Sequence, residues 1–529
     1  MSASSSSSAA PAPSASRAGG PLSWWPWPIL IAAGLVHLLA ILTWINLAIH
    51  RYRHPLELGN VEGMLMDSIV RLAHGQPLFG PPVLDFIPLA YMPGFFIVVA
   101  PLVKIFGPFL WVPRLVSVIE TLVLAAAIAR YVWLDTRSLV LAIAGAGIMI
   151  GGFGFAAGCY DLVGPNAQFM MFAIAGMLAL RETRGAAGAI LAGVLIGASF
   201  LSKQHGLLFG LMALPYLLFF DRRRLVPFAV ALAAAAGGGY ALMTLWFGKW
   251  FPFYTYDVPS HWSTLSFVRI QNYIGKDVFG TWGVCSVPAV LAIVPAWREG
   301  DRRVLLAWSA WGGGLAAGLL ATLDPYAYRH TLMPVVVSLA LLAPIAAQRI
   351  LRAAFAGGTS ASATTERAVT AIAALLLVLQ YPAVAYSARR YLPPPHAEET
   401  RAAFYARLKA IPGPVLMPYH GFYTWEALGK TSFHLLALDD IVRAHGNRLL
   451  RTDPQLLDRM FDGLRHGPNR PWLVLDLPLE RTGDVSLPMW QSLAPHYRLV
   501  DSLGVITEGL RPVAGLRDAP SLIYQPIGE

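Results

Sequence analysis

The apolar residues of this 529-residue chain fall in long, nearly unbroken blocks, with polar residues confined to short gaps between them. A helix needs roughly 20 apolar residues to cross a bilayer. Blocks approaching that length lie at 27–48, 111–130, 138–158, 167–180, 186–201, 206–220, 225–247, 281–297, 304–323, 332–351 and 368–388. Trp24, Trp25 and Trp27 open the first block as an interfacial belt. Residues 1–22, rich in Ser, Ala and Pro, predict a disordered tail; it is too weakly charged for a signal peptide, and no small-residue cleavage site follows the first block. From about Arg389 the pattern changes. Strand-like runs at Val415–Tyr419, Trp472–Leu477, Tyr497–Leu503 and Leu522–Tyr524 alternate with helical patterns around 400–410 and 449–466. The expected fold is an all-α polytopic membrane domain, residues 23–390, with about eleven transmembrane helices, followed by a small α/β domain, residues 391–529.

Composition supports this. The chain is 56% hydrophobic and only 13% charged, about half the charged content of a soluble domain. An ordinary soluble enzyme and a disordered chain are both excluded. Cys159 and Cys285 are too few for a disulfide framework. A formal charge of +10 would fit nucleic-acid binding, but the placement of the arginines explains it better.

That placement turns on Pro88–Phe106, PLAYMPGFFIVVAPLVKIF, which is apolar enough to span yet interrupted by Pro88, Pro93 and Pro101. If it stays at one interface, alternate loops hold Arg130/Arg137, Arg181/Arg184, Arg222/Arg223/Arg224, Arg298/Arg302/Arg303 and Arg349/Arg352/Arg367, all on the side of the N-terminus. If it crosses, every cluster flips outward, against the positive-inside rule. The N-terminus is therefore expected to be cytoplasmic and the C-terminal domain extracytoplasmic, on a plasma (inner) membrane. The long first outer loop, 51–110, then shares the outer face with Tyr160–Asn166, Ser202–His205, 248–280 and Asp324–His330. The polar residues other than arginine gather there, so chemistry is expected on that face.

Within the first loop, Val61, Met64, Leu65, Ile69 and Leu72 recur at helical spacing and predict an amphipathic helix lying along the membrane surface, ended by Gly75 and Pro77. Glu62 stands in its first turn, as cap or as catalytic acid. Asp67 and Arg71, four apart, are expected to pair on the solvated face, with His74 one turn on. Asp161, in CYDLVGPNAQFMMF, sits at a membrane boundary where a carboxylate needs a partner; a helix cap or a pair with Arg114 is the structural reading, a functional acid the other. Lys203 in the FLSKQHG turn suits a phosphate, or snorkels to the interface. Arg329, in the turn with Asp324, Tyr326 and His330, has the fork geometry for phosphate oxygens.

Outer-face carboxylates on a first-loop amphipathic helix, then G-x-P-L-F and a Pro/aromatic segment, resemble the GT-C membrane glycosyltransferases. The YDL-x5-AQF segment, the S-K-Q turn and the Y-x-Y-R-H-x-L-x-P run are similar to bacterial members of glycosyltransferase family 39, the group of protein O-mannosyltransferases and the aminoarabinose transferase of lipid A. The likeness covers roughly 25–390. It implies an integral membrane enzyme that takes a sugar from a polyprenyl phosphate, with inversion, and passes it to a glycan, lipid or protein acceptor. Glu62 and Asp161 are the implied catalytic carboxylates. Many members carry an adjacent Asp-Glu pair where this chain has Asn60-Val61-Glu62, which leaves Glu57 as the alternative to Glu62. Members with Arg-x-Asp after the second motif contrast with Gly164-Pro165-Asn166.

Physical chemistry fits that reading. A carboxylate takes the acceptor hydroxyl proton, and cations neutralise the leaving phosphate. Lys203 and Arg329, with Lys276 or Arg269, are the candidate cations; Gln204, His205, His330, Tyr91 and Asn166 complete the candidate substrate contacts. Pro88–Phe106 and the WFPFYTY stretch offer apolar surface for the prenyl chain. No metal ligand set is assigned: the outer histidines, His54, His74, His205, His261 and His330, are scattered, and a divalent ion between Glu62 and Asp161 is the one cofactor compatible with the chemistry. The alternative function is a transporter or flippase of lipid-linked saccharide. No internal repeat supports it, and Glu120 is the one clear acid inside a span.

Overall fold

The structure, a computed structural model, describes residues 24–356 and 362–528. The predicted tail, 1–22, lies outside the described residues. The chain opens with α1 (Pro26–Arg51), which leaves Ile31, Leu35, Leu39 and Leu42 exposed along one stripe, a surface suited to lipid. The first loop folds into α2 (Glu62–Ala73) and α3 (Gly94–Phe106) before α4 (Trp111–Thr136). Then come α5 (Leu139–Gly151), α6 (Asn166–Glu182), α7 (Gly185–Ser202) and α8 (Leu207–Phe220). Next, α9 (Arg222–Ala233) and α10 (Gly239–Phe247) run on through a π-helical turn at Ala234–Gly238. The bundle ends with α11 (Gly283–Glu299), α12 (Arg302–Thr322), α13 (Met333–Ala356) and α14 (Ala363–Val378).

Each of the eleven apolar blocks thus meets a helix. Seven of the described helical stretches are long and apolar enough to cross a membrane, or eight if Phe267–Thr281 and α11, which meet at 101°, form one span. The helices α5, α6 and α8 are shorter. The segment α3 has 13 residues, about 20 Å of helix against a hydrocarbon core of about 30 Å. It lies against α2 and touches α4 and α7.

The arginine-bearing loops do gather. Arg181 in the last turn of α6, Arg184 between α6 and α7, Arg223 and Arg224 at the start of α9, and Arg302 and Arg303 at the start of α12 line one cavity. Arg181 also pairs with Asp135 near the end of α4. Asp161 and Lys203 lie at the other ends of α6 and α7, and Glu62 of α2 pairs with Arg114 at the other end of α4.

The C-terminal segment forms a four-stranded sheet of β1 (Val415–Leu416), β2 (Trp472–Leu475), β3 (Tyr497–Ser502) and β4 (Leu522–Pro526), in the order β1-β2-β4-β3. The β1–β2 pair is parallel, the other two antiparallel. All four follow the predicted runs. The helices Ala397–Lys409 and Leu456–His466 match the predicted patterns, whereas Gly421–Leu428 and Leu435–Arg443 were not signalled.

One expectation fails here. The helix α2 does not lie amphipathically on a surface: Met64, Leu65 and Ile69 are buried, and so are Met66, Asp67 and Ser68 on its other side. The C-terminal segment covers that side through Gly421–Leu428. Accordingly Asp67 forms no ion pair with Arg71; burial pushes its carboxyl well above the usual range, and Arg71 instead donates to the Pro77 carbonyl and stacks on Phe86.

Gly94 lets α3 approach the polar turn after α7. A Cβ there would stand 2.5 Å from the Leu201 carbonyl oxygen and 3.0 Å from Ser202 Cα, both backbone. Gly94→Ala is expected to destabilise the fold by about 1–3 kcal/mol, read as a lowered thermal midpoint of the detergent-purified protein.

Candidate active site

The loop 159–166 enters α6 beside the first loop, and two arginines organise the meeting. Arg114, one turn into α4, is fully buried. It donates through Nε to Glu62 Oε1 at 2.9 Å and through Nη2 to Oε2 at 2.6 Å. Two further donors go to the His54 and Leu56 carbonyls. Glu62 also accepts from the backbone N–H of Leu58, Gly59 and Val163. Burial opposes its charge, but the Arg114 guanidinium and these donors outweigh it and hold the carboxyl below the usual carboxylate range. A carboxylate with both oxygens so engaged has no lone pair left for an incoming proton.

Asp161 is placed differently. Its Oδ2 lies 2.8 Å from Arg51 Nε, yet neither oxygen accepts a well-directed hydrogen bond. Burial raises its carboxyl above the usual range, with Arg51 pulling the other way. Arg51 spends its terminal nitrogens on the Gly158 and Tyr391 carbonyls. Asp161 is thus a buried acid held by one ion pair and by no well-directed hydrogen bond. Arg114, expected as its partner, belongs to Glu62, and Arg51 takes its place.

Lys203 ends the α7 segment in extended backbone. Its Nζ donates to Asn166 Oδ1 at 2.8 Å and faces the rings of Phe169 and Tyr91 at 5.6 and 6.0 Å. No described carboxylate pairs with it. Burial pulls its ammonium down to about 8. The charge of Lys203 reaches His205 and His330. The Cys159 thiol, raised to about 12 by burial, feels Arg51, Asp161, Glu62 and Lys203 together. These candidates therefore share one side of the fold and one neighbourhood.

Other candidates fall into place around or away from it. Gln204 donates to the Ala90 and Thr255 carbonyls and is a brace. Arg269 is bound to Thr264 and the Leu323 carbonyl, not to this cluster. Arg329 lies over Phe155, and Arg329 and Lys276 both act on Asp277. Glu62 and Asp161, the two carboxylates considered for a divalent ion, are each paired with an arginine, Arg114 and Arg51. Among the described residues no group of three or more His, Cys, Asp or Glu side chains is arranged to hold a metal.

Two features had no sequence signal. Arg443 pairs with Asp324 at 2.9 Å and with Asp440, and lies over Trp262 and Tyr326, tying the C-terminal segment to two loops of the helical bundle. Glu57, the alternative first-loop acid, is clasped by His420, whose other nitrogen meets Asp476 at 2.9 Å; all three are buried. Burial opposes charge on His420, but Asp476 and Glu57 outweigh it and raise the imidazolium to about 10. Nothing but tertiary proximity joins residues 57, 420 and 476.

With this geometry in view, the comparisons with known proteins fall on one class. The fold is similar to ArnT, the aminoarabinose transferase, from Cupriavidus metallidurans bound to undecaprenyl phosphate, at a TM-score of 0.51 and 14% identity over 95% of this chain and 98% of that one. The apo state of ArnT gives 0.54 and 14% identity over 93% and 97%. The Archaeoglobus fulgidus oligosaccharyltransferase tethered with an acceptor peptide gives 0.52 and 11% identity over 96% of this chain and 74% of that one. The chain therefore has the GT-C fold of membrane glycosyltransferases. No family profile matches the sequence, and no curated protein does.

Two outcomes follow from the buried charges. Arg114→Met strands Glu62 and is expected to cost about 3–5 kcal/mol, part of it recovered by Glu62→Gln in the same chain, measured by thermal or denaturant unfolding in detergent. The His420 clasp is at full strength below pH 6.5 and is lost as pH rises through about 10. His420→Gln is expected to flatten the loss of stability over that window.

Proposed function

We propose that this chain is a glycosyltransferase that moves a sugar from a polyprenyl-phosphate donor to an acceptor, with inversion at the anomeric carbon. It works on the extracytoplasmic face of the plasma membrane, with about eleven crossings, a cytoplasmic N-terminus and the C-terminal domain outside. The observation that carries the reading is Lys203, a buried ammonium with no carboxylate partner among the described residues, held on Asn166 of the same 159–166 loop that carries the Arg51-paired acid Asp161, within a GT-C fold. A cation without an internal counter-charge is matched to an anion arriving with a ligand. ArnT, which shares the fold, was crystallised with a polyprenyl phosphate.

In the proposed reaction Asp161 accepts the proton of the acceptor hydroxyl as its oxygen bonds to the anomeric carbon. The bond from that carbon to the phosphate oxygen breaks, its electron pair leaves with the lipid phosphate, and Lys203 neutralises the charge formed. Asn166 holds the ammonium in place, while Tyr91, His205 and His330 border it. Arg329 and Lys276 are assigned to the edge of the donor site. Glu62 is a positioning residue: through Arg114 and the Val163 N–H it fixes the loop that carries Asp161.

The test is to incubate purified protein with a panel of polyprenyl-phosphate sugars and measure released lipid phosphate. Asp161→Asn is expected to abolish release with membrane insertion normal, and Lys203→Met to lower turnover by about 10²–10³-fold. Because Lys203 is protonated only below about pH 8, donor KM is expected to rise as pH passes through that value, less so in Lys203→Arg. Full activity in Asp161→Asn would overturn the mechanism. Saccharide accumulation in proteoliposomes without lipid-phosphate release would indicate a carrier instead.

A further inference from the structure

The opposite ends of the helices carry a second charged site. Where the α6–α7, α8–α9 and α11–α12 connections meet, Arg181, Arg184, Arg223, Arg224, Arg302 and Arg303 surround a cavity of about 440 Å³. Asp221 is the one carboxylate in its lining. Arg181 is paired with Asp135, and Arg224 with Asp221 at 2.7 Å. Arg184, Arg223, Arg302 and Arg303 form no ion pair among the described residues.

Topology explains arginine in these loops, but it does not require three loops to aim arginine into one space. Elsewhere on the same face several arginines meet acids of the protein: Arg130 meets Glu182, Arg349 meets Glu299 and Asp301, and Arg352 meets Glu366. Arg137 and Arg367 lie over tryptophan rings, and Arg222 and Arg298 form no ion pair among the described residues, but none of these four lines the cavity. Around the cavity four arginines without an ion pair share one space, at a mutual repulsion that an anion would relieve. Guanidinium forks match phosphate oxygens in pairs, and the cavity is roomy enough for more than one such group. Beside it, Phe219 and Val226 stand exposed, an apolar flank along which acyl chains can lie.

We propose that this cavity is a binding site for a phosphate-bearing dianion, separate from the candidate active site and on the opposite face of the bundle. Two sources share that chemistry: the head group of an anionic phospholipid, and a soluble diphosphate compound. The site does not depend on the glycosyltransferase reading.

The experiment uses the full-length protein, delipidated in neutral detergent. Native mass spectrometry counts retained diphosphatidylglycerol against phosphatidylcholine, and calorimetry titrates inorganic pyrophosphate. Selective retention of diphosphatidylglycerol identifies a lipid site; pyrophosphate binding with no lipid selectivity identifies a soluble ligand. Either supports the proposal. The triple substitution Arg223→Gln, Arg302→Gln, Arg303→Gln is expected to weaken binding about a hundredfold, at roughly fivefold for each arginine. Arg137→Gln, Arg298→Gln, Arg367→Gln removes the same charge from the same face outside the cavity and is expected to leave binding within about twofold. Equal weakening in the two triple variants would overturn the proposal, leaving only diffuse attraction. So would a wild-type protein that binds pyrophosphate undetectably and retains both lipids alike, a result that needs no variant to fold.

Discussion

The bond on which the site rests is the buried pair of Arg114 and Glu62. It joins three pieces of chain that share no local sequence: the first loop, the start of α4 and the 159–166 loop. Two charges inside the protein are stable only when every donor and acceptor is answered, since desolvation otherwise exceeds their attraction. Here the answer is nearly complete. Arg114 uses two further donors on backbone carbonyls, and Glu62 collects backbone N–H groups. The saturation that makes Glu62 a poor base makes it a rigid post, from which Asp161 is positioned two residues before Val163.

Against that closed pair, Arg51–Asp161 and Lys203 stand out by what they leave open. Asp161 meets its arginine without a well-directed hydrogen bond, and Lys203 has only an amide oxygen and two rings. Burial pushes the two groups in opposite directions, the acid up and the ammonium down, so each is brought nearer to neutrality and to proton exchange. Open charges beside saturated ones are the pattern of a site prepared for a charged ligand.

The C-terminal segment does more than sit beside the bundle. Its apolar core is continuous with that of the first loop, and its polar grips fall on residues 57–60, on Leu84 and on the 257–262 and 324 turns. Covering α2 in this way buries Asp67 and turns a helix with one apolar stripe into one enclosed on both sides. The same cover encloses Glu57, so both first-loop acids that resemblance offered are held by partners, Arg114 for one and His420 for the other.

By itself the sequence determined the blocks of apolar chain, the convergence of the arginine loops at one end, the break of Pro88–Phe106 into a short helix and the four strands of the C-terminal sheet. Each follows from local composition acting through a strong solvent preference, and such preferences are legible one segment at a time. It also singled out Glu62, Asp161 and Lys203, because charged residues at a lipid boundary are costly and therefore few. Only the tertiary structure decided which acid is spoken for. Whether Glu62 meets Arg114 or remains free, whether Asp161 pairs with Arg51, and whether His420 reaches Glu57 across 363 positions depend on distances between segments remote in the chain. A carboxylate looks the same in sequence whether its lone pairs are full or empty.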